Sequence, residues 1–326
     1  MNGVPIHDDP PAFPAEHLRV QDQATALRDL LRPGPAGAAL SVRPPQPTVR
    51  LAKTIAITSG KGGVGKSNLA VNLAAAIAAR RSTCLLDADL GLANADLLCG
   101  VSPGSTLEDV VQGRRRLADV MLVAPGGFRL LPGASGVASV ANLAPAARRE
   151  LVIQLAGLER SFDVLLVDTG AGIGANSMAF TLAADSALVV VTPEPTSITD
   201  AYGAIKTIAA KVAKPRIRVA VNMASGESEG SEVFRRLDRV ARHFLSLPLE
   251  LAGIVPHDEA VRDSVRKRIP FLVHAPDAPA SRAVRAIADR LLGEPSHGDP
   301  VAGESMASRG GFLGRLAGWL GRTGRG

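Results

Sequence analysis

A glycine-rich loop with two lysines is the most specific chemical motif in the chain. It reads G-K-G-G-V-G-K-S over residues 60–67 and satisfies the pattern G-x-x-x-x-G-K-[ST]. Glycines permit positive φ angles and bring backbone N–H groups close to phosphates, and the N-terminus of a following helix adds partial positive charge. Lys66 can reach the β- and γ-phosphates, and the Ser67 hydroxyl can bind Mg²⁺. The loop therefore predicts a nucleoside triphosphate site with Mg²⁺, whose contacting residues are Gly60, Gly62, Gly63, Val64, Gly65, Lys66, Ser67 and Asn68.

Carboxylates stand at the ends of two apolar runs that we predict to be strands. Asp87 and Asp89 follow Leu85-Leu86, and Asp168 follows the run 164–167. Ligands of open α/β sheets bind at the carboxyl ends of strands, so these acids are expected beside the loop. Asp168 fits the Walker B role of holding the hydration shell of Mg²⁺. Capping of the following turn is an alternative role for Asp87 and Asp89.

Strands and helices that alternate from Thr54 to about Leu292 must position these residues. The strand candidates are Thr54–Ser59, Thr83–Leu86, Val164–Val167, Ala187–Thr192, Arg218–Asn222 and Glu250–Val255. Helical stretches between them include Ser67–Arg80, Ala146–Arg160, Ile198–Val212 and Ser231–Phe244. Near-continuous Val/Ile/Leu strands are buried on both faces. The pattern predicts an α/β fold with a mostly parallel twisted sheet and helices on both faces.

The segments outside this alternation have different compositions. Residues 1–49 are rich in Pro and form a predicted extension, in which residues 16–31 have the apolar spacing of a helix. The ATPase-like domain is assigned to 50–292 and a linker to 293–308. Residues 309–326 contain four Arg and no acid, and their apolar side chains share one face of a helical wheel, namely Phe312, Leu313, Leu316, Trp319 and Leu320. This pattern predicts a helix at the membrane interface. Because glycines lower helix stability, we expect the helix to form only on lipid or in a dimer.

Composition excludes several classes of protein. Only 3% of the 326 residues are aromatic, which argues against a nucleic-acid reader built on stacked rings, and no basic tail of the nucleic-acid-binding kind is present. Two cysteines, Cys84 and Cys99, cannot form a disulfide scaffold. No apolar run has the length of a membrane span, and the N-terminus does not have the pattern of a signal peptide. We predict a cytoplasmic protein with no specific nucleic-acid partner.

The loop K-G-G-V-G-K-S resembles the deviant Walker A loop of the MinD/ParA family of dimerising P-loop ATPases, and the resemblance covers about Thr54–Leu292. It implies that Lys61 reaches the nucleotide of the partner subunit in an ATP-bound homodimer, and that Lys66 and Asp89 are catalytic. Asp89 would orient the attacking water. Asp87 would support the metal region with Ser67 and Asp168.

The resemblance also implies how the base is held. Asn222, at the end of one predicted strand, would read the adenine edge, and Pro256, at the end of the next, would lie against its face. A guanine-specific N-K-x-D motif does not occur, so ATP is favoured over GTP.

The segment D-Q-A-T-A-L-R over residues 22–28 looks like the helix that precedes the ATPase domain in flagellar-number regulators of the FlhG/FleN type. This resemblance implies that Gln23 stimulates an FlhF-type SRP GTPase, and that a flagellar transcription regulator is a further partner. It also implies peripheral association with the inner face of the cell membrane through the C-terminal segment.

Other branches of the family remain alternatives at this stage. A ParA-type partitioning ATPase needs a basic surface for DNA, which Arg114–Arg116 or the stretch 262–268 would provide. A MinD-type regulator of the division site has the same ATPase motifs. An iron–sulfur carrier needs paired thiolates near the dimer interface, and only Cys99 lies outside a predicted buried strand.

Overall fold

The computed structural model describes residues 51–89, 94–105, 109–110, 112–133, 154, 157–293, 311–312 and 314–316. The chain divides into two units, Met1–Thr48 and Val49–Gly326, and every described residue belongs to the second. Gln23, Leu313, Trp319 and Leu320 lie outside the described residues, as do most of the predicted helix Ala146–Arg160 and the linker 294–308.

The described part is an eight-stranded sheet with helices on both faces. Its strands are β1 (Lys53–Thr58), β2 (Thr83–Ala88), β3 (Leu122–Val123), β4 (Arg129–Leu131), β5 (Val164–Thr169), β6 (Ser186–Val191), β7 (Ile217–Ala224) and β8 (Glu250–Pro256). Their order is β3-β4-β2-β5-β1-β6-β7-β8, and every pair is parallel except β3 with β4. The predicted α/β fold with a mostly parallel sheet is confirmed.

The helices complete the alternation. They are α1 (Lys66–Ala78), α2 (Ala95–Cys99), α3 (Leu117–Val120), α4 (Ala175–Ala183), α5 (Pro195–Lys211), α6 (Glu227–Leu245), α7 (Glu259–Lys267), α8 (Phe271–His274) and α9 (Pro279–Leu292). All six predicted strands are present, with ends that differ by one or two residues. The short strands β3 and β4 were not predicted, because two or three residues are too few to show a period.

Alternate residues of the central strands enter cores on opposite faces of the sheet. On β5, Val164 and Leu166 join the core formed with α1 and α9, whereas Leu165 and Val167 join the one beneath α4. A third cluster joins α5 and α6 to β6 and β7. Since α4 contributes to both the second and the third clusters, α4, α5 and α6 share one face. Burial on both sides explains why these strands are continuously apolar.

Candidate nucleotide-binding site

The glycine-rich loop lies at the point where the sheet changes its winding direction. It joins β1 to α1, and β1 lies between β5 and β6 at the centre of the sheet. The chain leads from β1 to β2 on one side and from β5 to β6 on the other, so the carboxyl end of β1 borders the crevice in which ligands of such sheets bind. Gly65 is the N-cap of α1, with a φ of 80°, and Gly63 has a φ of 81°. Both angles lie in the left-handed region that glycine adopts without strain.

Lys66 and Asp168 form a buried ion pair at the base of this crevice. Nζ of Lys66 lies 2.5 Å from Oδ1 of Asp168 and 3.3 Å from Oγ of Ser67. Burial raises the pKa of Asp168, although the Lys66 ammonium acts in the opposite direction. Oδ2 of Asp168 is buried without a hydrogen-bond partner among the described residues. The pair thus places a cation and an unused carboxylate oxygen next to the first turn of α1.

Asp87 fixes the start of the loop that follows β2. Its carboxylate accepts hydrogen bonds from the backbone N–H groups of Asp89 and Ala95, each at 3.1 Å. Burial, followed by the nearby Asp168 carboxylate, raises the pKa of Asp87 to about 7. Asp87 and Asp168 are register partners on β2 and β5. The capping bonds considered for Asp87 are therefore present, and Asp87 lies next to Asp168 in the sheet.

Asp89 lies on the other side of the crevice. A Cβ built on Gly170 would come within 3.5 Å of Oδ1 of Asp89, so this side chain approaches the loop after β5. The N–H of Gly172 in that loop donates to the carbonyl of Ser59 at 2.8 Å. The structure thus brings Asp89, the loop after β5 and the glycine-rich loop together.

The residues at the crevice fit a hydrated Mg²⁺ ion. Mg²⁺ prefers oxygen ligands and keeps several waters, so one hydroxyl and one carboxylate beside substrate phosphates are a usual donor set. Ser67 offers the hydroxyl, and Oδ2 of Asp168 offers a buried acceptor whose hydrogen bonds are unmade among the described residues. Within the same residues, no group of three or more His, Cys, Asp or Glu side chains forms a metal cluster. The donor set thus resembles a magnesium–nucleotide site and differs from a closed metal cage.

Lys61 lies on the surface of the loop and is bound within its own chain. Its ammonium forms an ion pair with Glu194, the N-cap of α5, and donates to Oγ1 of Thr196 at 3.1 Å. The backbone carbonyl of Lys61 accepts a hydrogen bond from the Ser59 hydroxyl at 2.9 Å. Lys61 is therefore held away from the Lys66–Asp168 pair, at the rim of the crevice.

A cleft of about 150 Å³ opens beside the first turn of α1. Asn222 lines it and donates from Nδ2 to the carbonyl of Val64 at 2.8 Å, which ties β7 to the glycine-rich loop. A register shift between β7 and β8 gives Met223 a φ of 58°. Such a bulge redirects a side chain, and Met223 lines the cleft. The cleft adjoins the glycine-rich loop, since Gly65 lines it.

Sequence reasoning found only some residues of this cleft. Of the residues that the sequence predicts as nucleotide contacts, Gly65, Asn68, Asn222 and Pro256 line it. Sequence reasoning missed lining residues on α1, at the ends of β7 and β8, and on α7 and α8, namely Leu69, Met223, Val255, His257, Asp258, Val261, Arg262 and Phe271. The rule that ligands bind at the carboxyl ends of strands would have found the residues that follow β7 and β8. His257 is exposed.

The described C-terminal residues lie away from the nucleotide crevice. Phe312 and Leu316 are 1% and 3% exposed and pack in the cluster beneath α4. Arg315 donates from Nε to the carbonyl of Ala183 and from Nη2 to Oδ1 of Asp185, both at 2.7 Å. We expected helix formation only on lipid or in a dimer, but Phe312 and 314–316 are helical in one chain. The domain itself provides the apolar surface on which this turn forms.

Comparison with protein families identifies a match over much of the chain. Residues 55–271 match the family described as the CobQ/CobB/MinD/ParA nucleotide binding domain. Among the described helices, none combines the length and apolar character needed to cross a bilayer.

Individual relatives agree with this match. The chain is 45% identical over 249 residues to the antiactivator FleN of Pseudomonas aeruginosa, covering 76% of this chain and 89% of that protein. It is 35% identical over 272 residues to the flagellum site-determining protein YlxH of Helicobacter pylori, covering 82% and 91%. Among solved structures, the MinC:MinD cell division complex of Aquifex aeolicus aligns with a TM-score of 0.60 at 29% identity, covering 78% of this chain and 100% of that one.

Proposed function

The chain belongs to the CobQ/CobB/MinD/ParA nucleotide-binding family, and from this premise we propose that it is an ATP-driven dimerising switch that regulates flagellar number or placement. The flagellar assignment is supported by the similarity to an antiactivator, FleN, and to a flagellum site-determining protein. Other relatives are septum site-determining proteins, so regulation of the division site is the nearest different output.

The residues of the crevice have distinct proposed roles. Lys66 and the N-terminus of α1 bind the phosphates, and Asn222 and Pro256 hold the adenine. Ser67 would ligate Mg²⁺, and Asp168 would hold its hydration shell with Asp87 in support. When bound, Mg²⁺ neutralises charge on the β- and γ-phosphates. Asp89 orients the attacking water by accepting its hydrogen bond.

The position of Lys61 is the observation that carries the proposal of a dimer. Lys61 lies at the rim of the crevice, and the loop containing Gly60 contacts the loop of Gly172 and Ile173. Ile173 is an exposed apolar side chain. An apolar side chain beside a surface cation fits a subunit interface, and a lysine at this rim would reach the nucleotide of a facing subunit. Its charge would then act on the transition state as a cation supplied in trans.

Sedimentation velocity tests the switch directly. The chain with Mg²⁺ and a non-hydrolysable ATP analogue is expected to sediment as a dimer, and Lys66→Ala to remain monomeric. Asp89→Ala is expected to bind ATP and to stay dimeric, because the attacking water has lost its orienting group. A chain that stays monomeric with saturating analogue would contradict the proposal.

Membrane association is the second part of the proposed cycle. The apolar residues Phe312 and Leu316 are buried against the domain, so they must leave it before they can enter a bilayer. We propose that ATP-dependent closure releases this segment, and that two copies per dimer anchor where one binds too weakly. The variant Trp319→Ser/Leu320→Ser leaves Phe312 and Leu316 intact. It is expected to lose ATP-dependent co-sedimentation with anionic vesicles, and retained binding would remove the segment as the anchor.

The proposed partner is an FlhF-type SRP GTPase, engaged through Gln23 in the N-terminal extension. A peptide of residues 16–31 is expected to accelerate GTP hydrolysis by such a GTPase, and the same peptide with Gln23→Ala to have no effect. This assay separates a flagellar regulator from a regulator of the division site, because only the flagellar proposal predicts that the peptide stimulates GTP hydrolysis. A flagellar transcription regulator is a further proposed partner.

A further inference from the structure

The last turn of α6 ends in an aromatic side chain that the domain leaves uncovered. Phe244 is 69% exposed, more than any other large apolar side chain among the described residues. It continues the helix stripe of Val233, Leu237 and Ala241, all of which are buried in the core with β6 and β7. Phe244 is therefore on the core-facing side of α6, but no element in the described part of the chain covers it at that level.

The connections of α6 explain this exposure. The helix links β7 to the parallel strand β8, and only residues 246–249 separate its last residue from Glu250, the first residue of β8. The end of α6 must therefore lie at the edge of the sheet where the strands begin, which we call the amino edge. The nucleotide crevice lies at the opposite edge, so contacts at the amino edge leave it accessible.

Exposed basic side chains accompany Phe244 at the amino edge. Arg242 and His243 belong to the same helical turn, and Lys211, Lys214 and Arg216 lie in or next to the connection from α5 to the start of β7. Three acids at this edge, Asp185, Asp238 and Glu250, each pair with an arginine, namely Arg315, Arg242 and Arg218, so the cations named here outnumber the acids. The exposed surface here is consequently cationic around an apolar centre.

The C-terminal segment reaches the same edge on the same face of the sheet. Arg315 binds the carbonyl of Ala183 and the carboxylate of Asp185, which immediately precede β6. The cluster that holds Phe312 and Leu316 lies beneath α4, on the face that α4 shares with α6. The docked C-terminal turn and the basic surface around Phe244 therefore lie at the same edge and on the same face of the sheet.

From this arrangement we infer that the amino edge is a second membrane contact, which presents Phe244 to the interface of an anionic bilayer and its basic side chains to the headgroups. The inference rests on the membrane association proposed above. Anionic headgroups attract surface Lys and Arg, and apolar side chains such as Phe gain by entering the acyl boundary. A nucleic-acid duplex would satisfy the cations, but its base faces are already stacked on one another and would not cover the exposed phenyl ring, so the bilayer fits both features.

A matched pair of charge reversals on α6 tests the inference. Arg242 and Arg235 are seven residues apart on one side of the helix, have side chains 59% and 63% exposed, and each pairs with an acid of the preceding turn. In the full chain with ATP and Mg²⁺, Arg242→Glu is expected to weaken binding to equimolar phosphatidylglycerol–phosphatidylcholine vesicles by about ten-fold or more. Arg235→Glu, two turns farther from the edge, is expected to bind like the unmodified chain.

Phe244→Ser provides an independent apolar test, because an exposed side chain can be replaced without disturbing the core. It is expected to weaken vesicle binding while the thermal midpoint and ATP turnover stay unchanged. The amino-edge contact would be overturned if Arg242→Glu and Phe244→Ser both bind vesicles as tightly as the unmodified chain. Loss of binding only in Trp319→Ser/Leu320→Ser would then leave the proposed anchor as the membrane contact. If the unmodified chain does not bind vesicles with ATP, both proposals fall. If Arg242→Glu weakens binding to random duplex DNA instead of vesicles, the surface is a nucleic-acid contact and the inference is wrong.

Discussion

The Lys66 ammonium lies 2.5 Å from Oδ1 of Asp168, and the two side chains are only 6% and 1% exposed. A buried ion pair gains little over a well-packed apolar pair, but removal of one partner leaves an uncompensated charge in a low-dielectric environment. The pair thus stabilises the crevice only while both members are present. It also holds the Lys66 side chain in place before any nucleotide arrives.

Replacing Asp168 tests this dependence in the nucleotide-free protein. Asp168→Ala is expected to lower the free energy of unfolding by about 3–5 kcal/mol, because Lys66 remains buried without its counter-charge. Urea denaturation measures the change. Asp289→Ala is the control, since Asp289 pairs with Arg80 in an exposed position and its loss is expected to cost no more than about 1 kcal/mol. Equal costs for the two variants would contradict the assigned burial.

The carboxyl group of Asp87 gives the nucleotide-free protein a specific pH dependence. Burial and the adjacent Asp168 carboxylate raise its pKa from 3.8 to about 7, so the folded chain binds this proton more tightly than the unfolded chain does. Its contribution to the free energy of unfolding therefore falls as pH rises between these values and is constant above them. Asn cannot ionise, so Asp87→Asn is expected to gain stability relative to the unmodified chain across this interval, by at most about 4 kcal/mol. Urea titrations at several pH values measure the difference, and a difference independent of pH would refute the assignment.

Two glycines of the phosphate loop are expected to respond differently to the same substitution. A Cβ on Gly60 would lie 2.0 Å from the backbone carbon of Asp200, whereas one on Gly62 would have no heavy atom within 4 Å. Gly60→Ala must displace backbone and is expected to cost about 1–3 kcal/mol or more, with weaker ATP binding. Gly62→Ala is the matched control and is expected to stay within about 1 kcal/mol. Thermal melts with and without ATP compare them, and indistinguishable melts would show that α5 does not constrain the loop.

The sequence correctly predicts the elements whose conformation depends on residues close together in the chain. The loop 60–67 and the buried strands follow from glycine conformation and from continuous apolar runs. Contacts between distant segments do not leave such a signal. The partner of Lys61 is Glu194, which is 133 residues away, and the turn of Met223 depends on a register shift between two strands.

In the C-terminal segment, too, the sequence reveals an apolar face but not the surface that covers it. The spacing of Phe312 and Leu316 correctly indicates an apolar helix face, but spacing does not reveal what covers that face. In the structure the cover is the cluster beneath α4. A lipid-facing role for the segment therefore requires its release, a step that no sequence pattern encodes.

The two cysteines are expected to be unreactive in the folded protein. Burial raises the pKa of Cys84 to about 12, and burial followed by the charges of Asp96 and Asp87 does the same for Cys99. The thiolate is the reactive form, so labelling by a disulfide reagent at neutral pH is expected to be about a thousand-fold slower than in denaturant. Counting labelled thiols before and after urea addition measures this. Rapid labelling of Cys99 in the native state would reopen the iron–sulfur alternative, which needs accessible thiolates.

The ion pair of Lys61 with Glu194 separates stability from the proposed contact between subunits. Exposed pairs contribute at most about 1 kcal/mol, so Lys61→Ala and Glu194→Gln are both expected to keep the free energy of unfolding within that range. Their effects on self-association should differ, because Glu194 binds the lysine within one chain and only the lysine is proposed to reach the neighbouring nucleotide. Sedimentation with Mg²⁺ and a non-hydrolysable ATP analogue is expected to show a monomer for Lys61→Ala and a dimer for Glu194→Gln. A dimer of unchanged affinity in Lys61→Ala would show that the second lysine of the loop has no role across the interface.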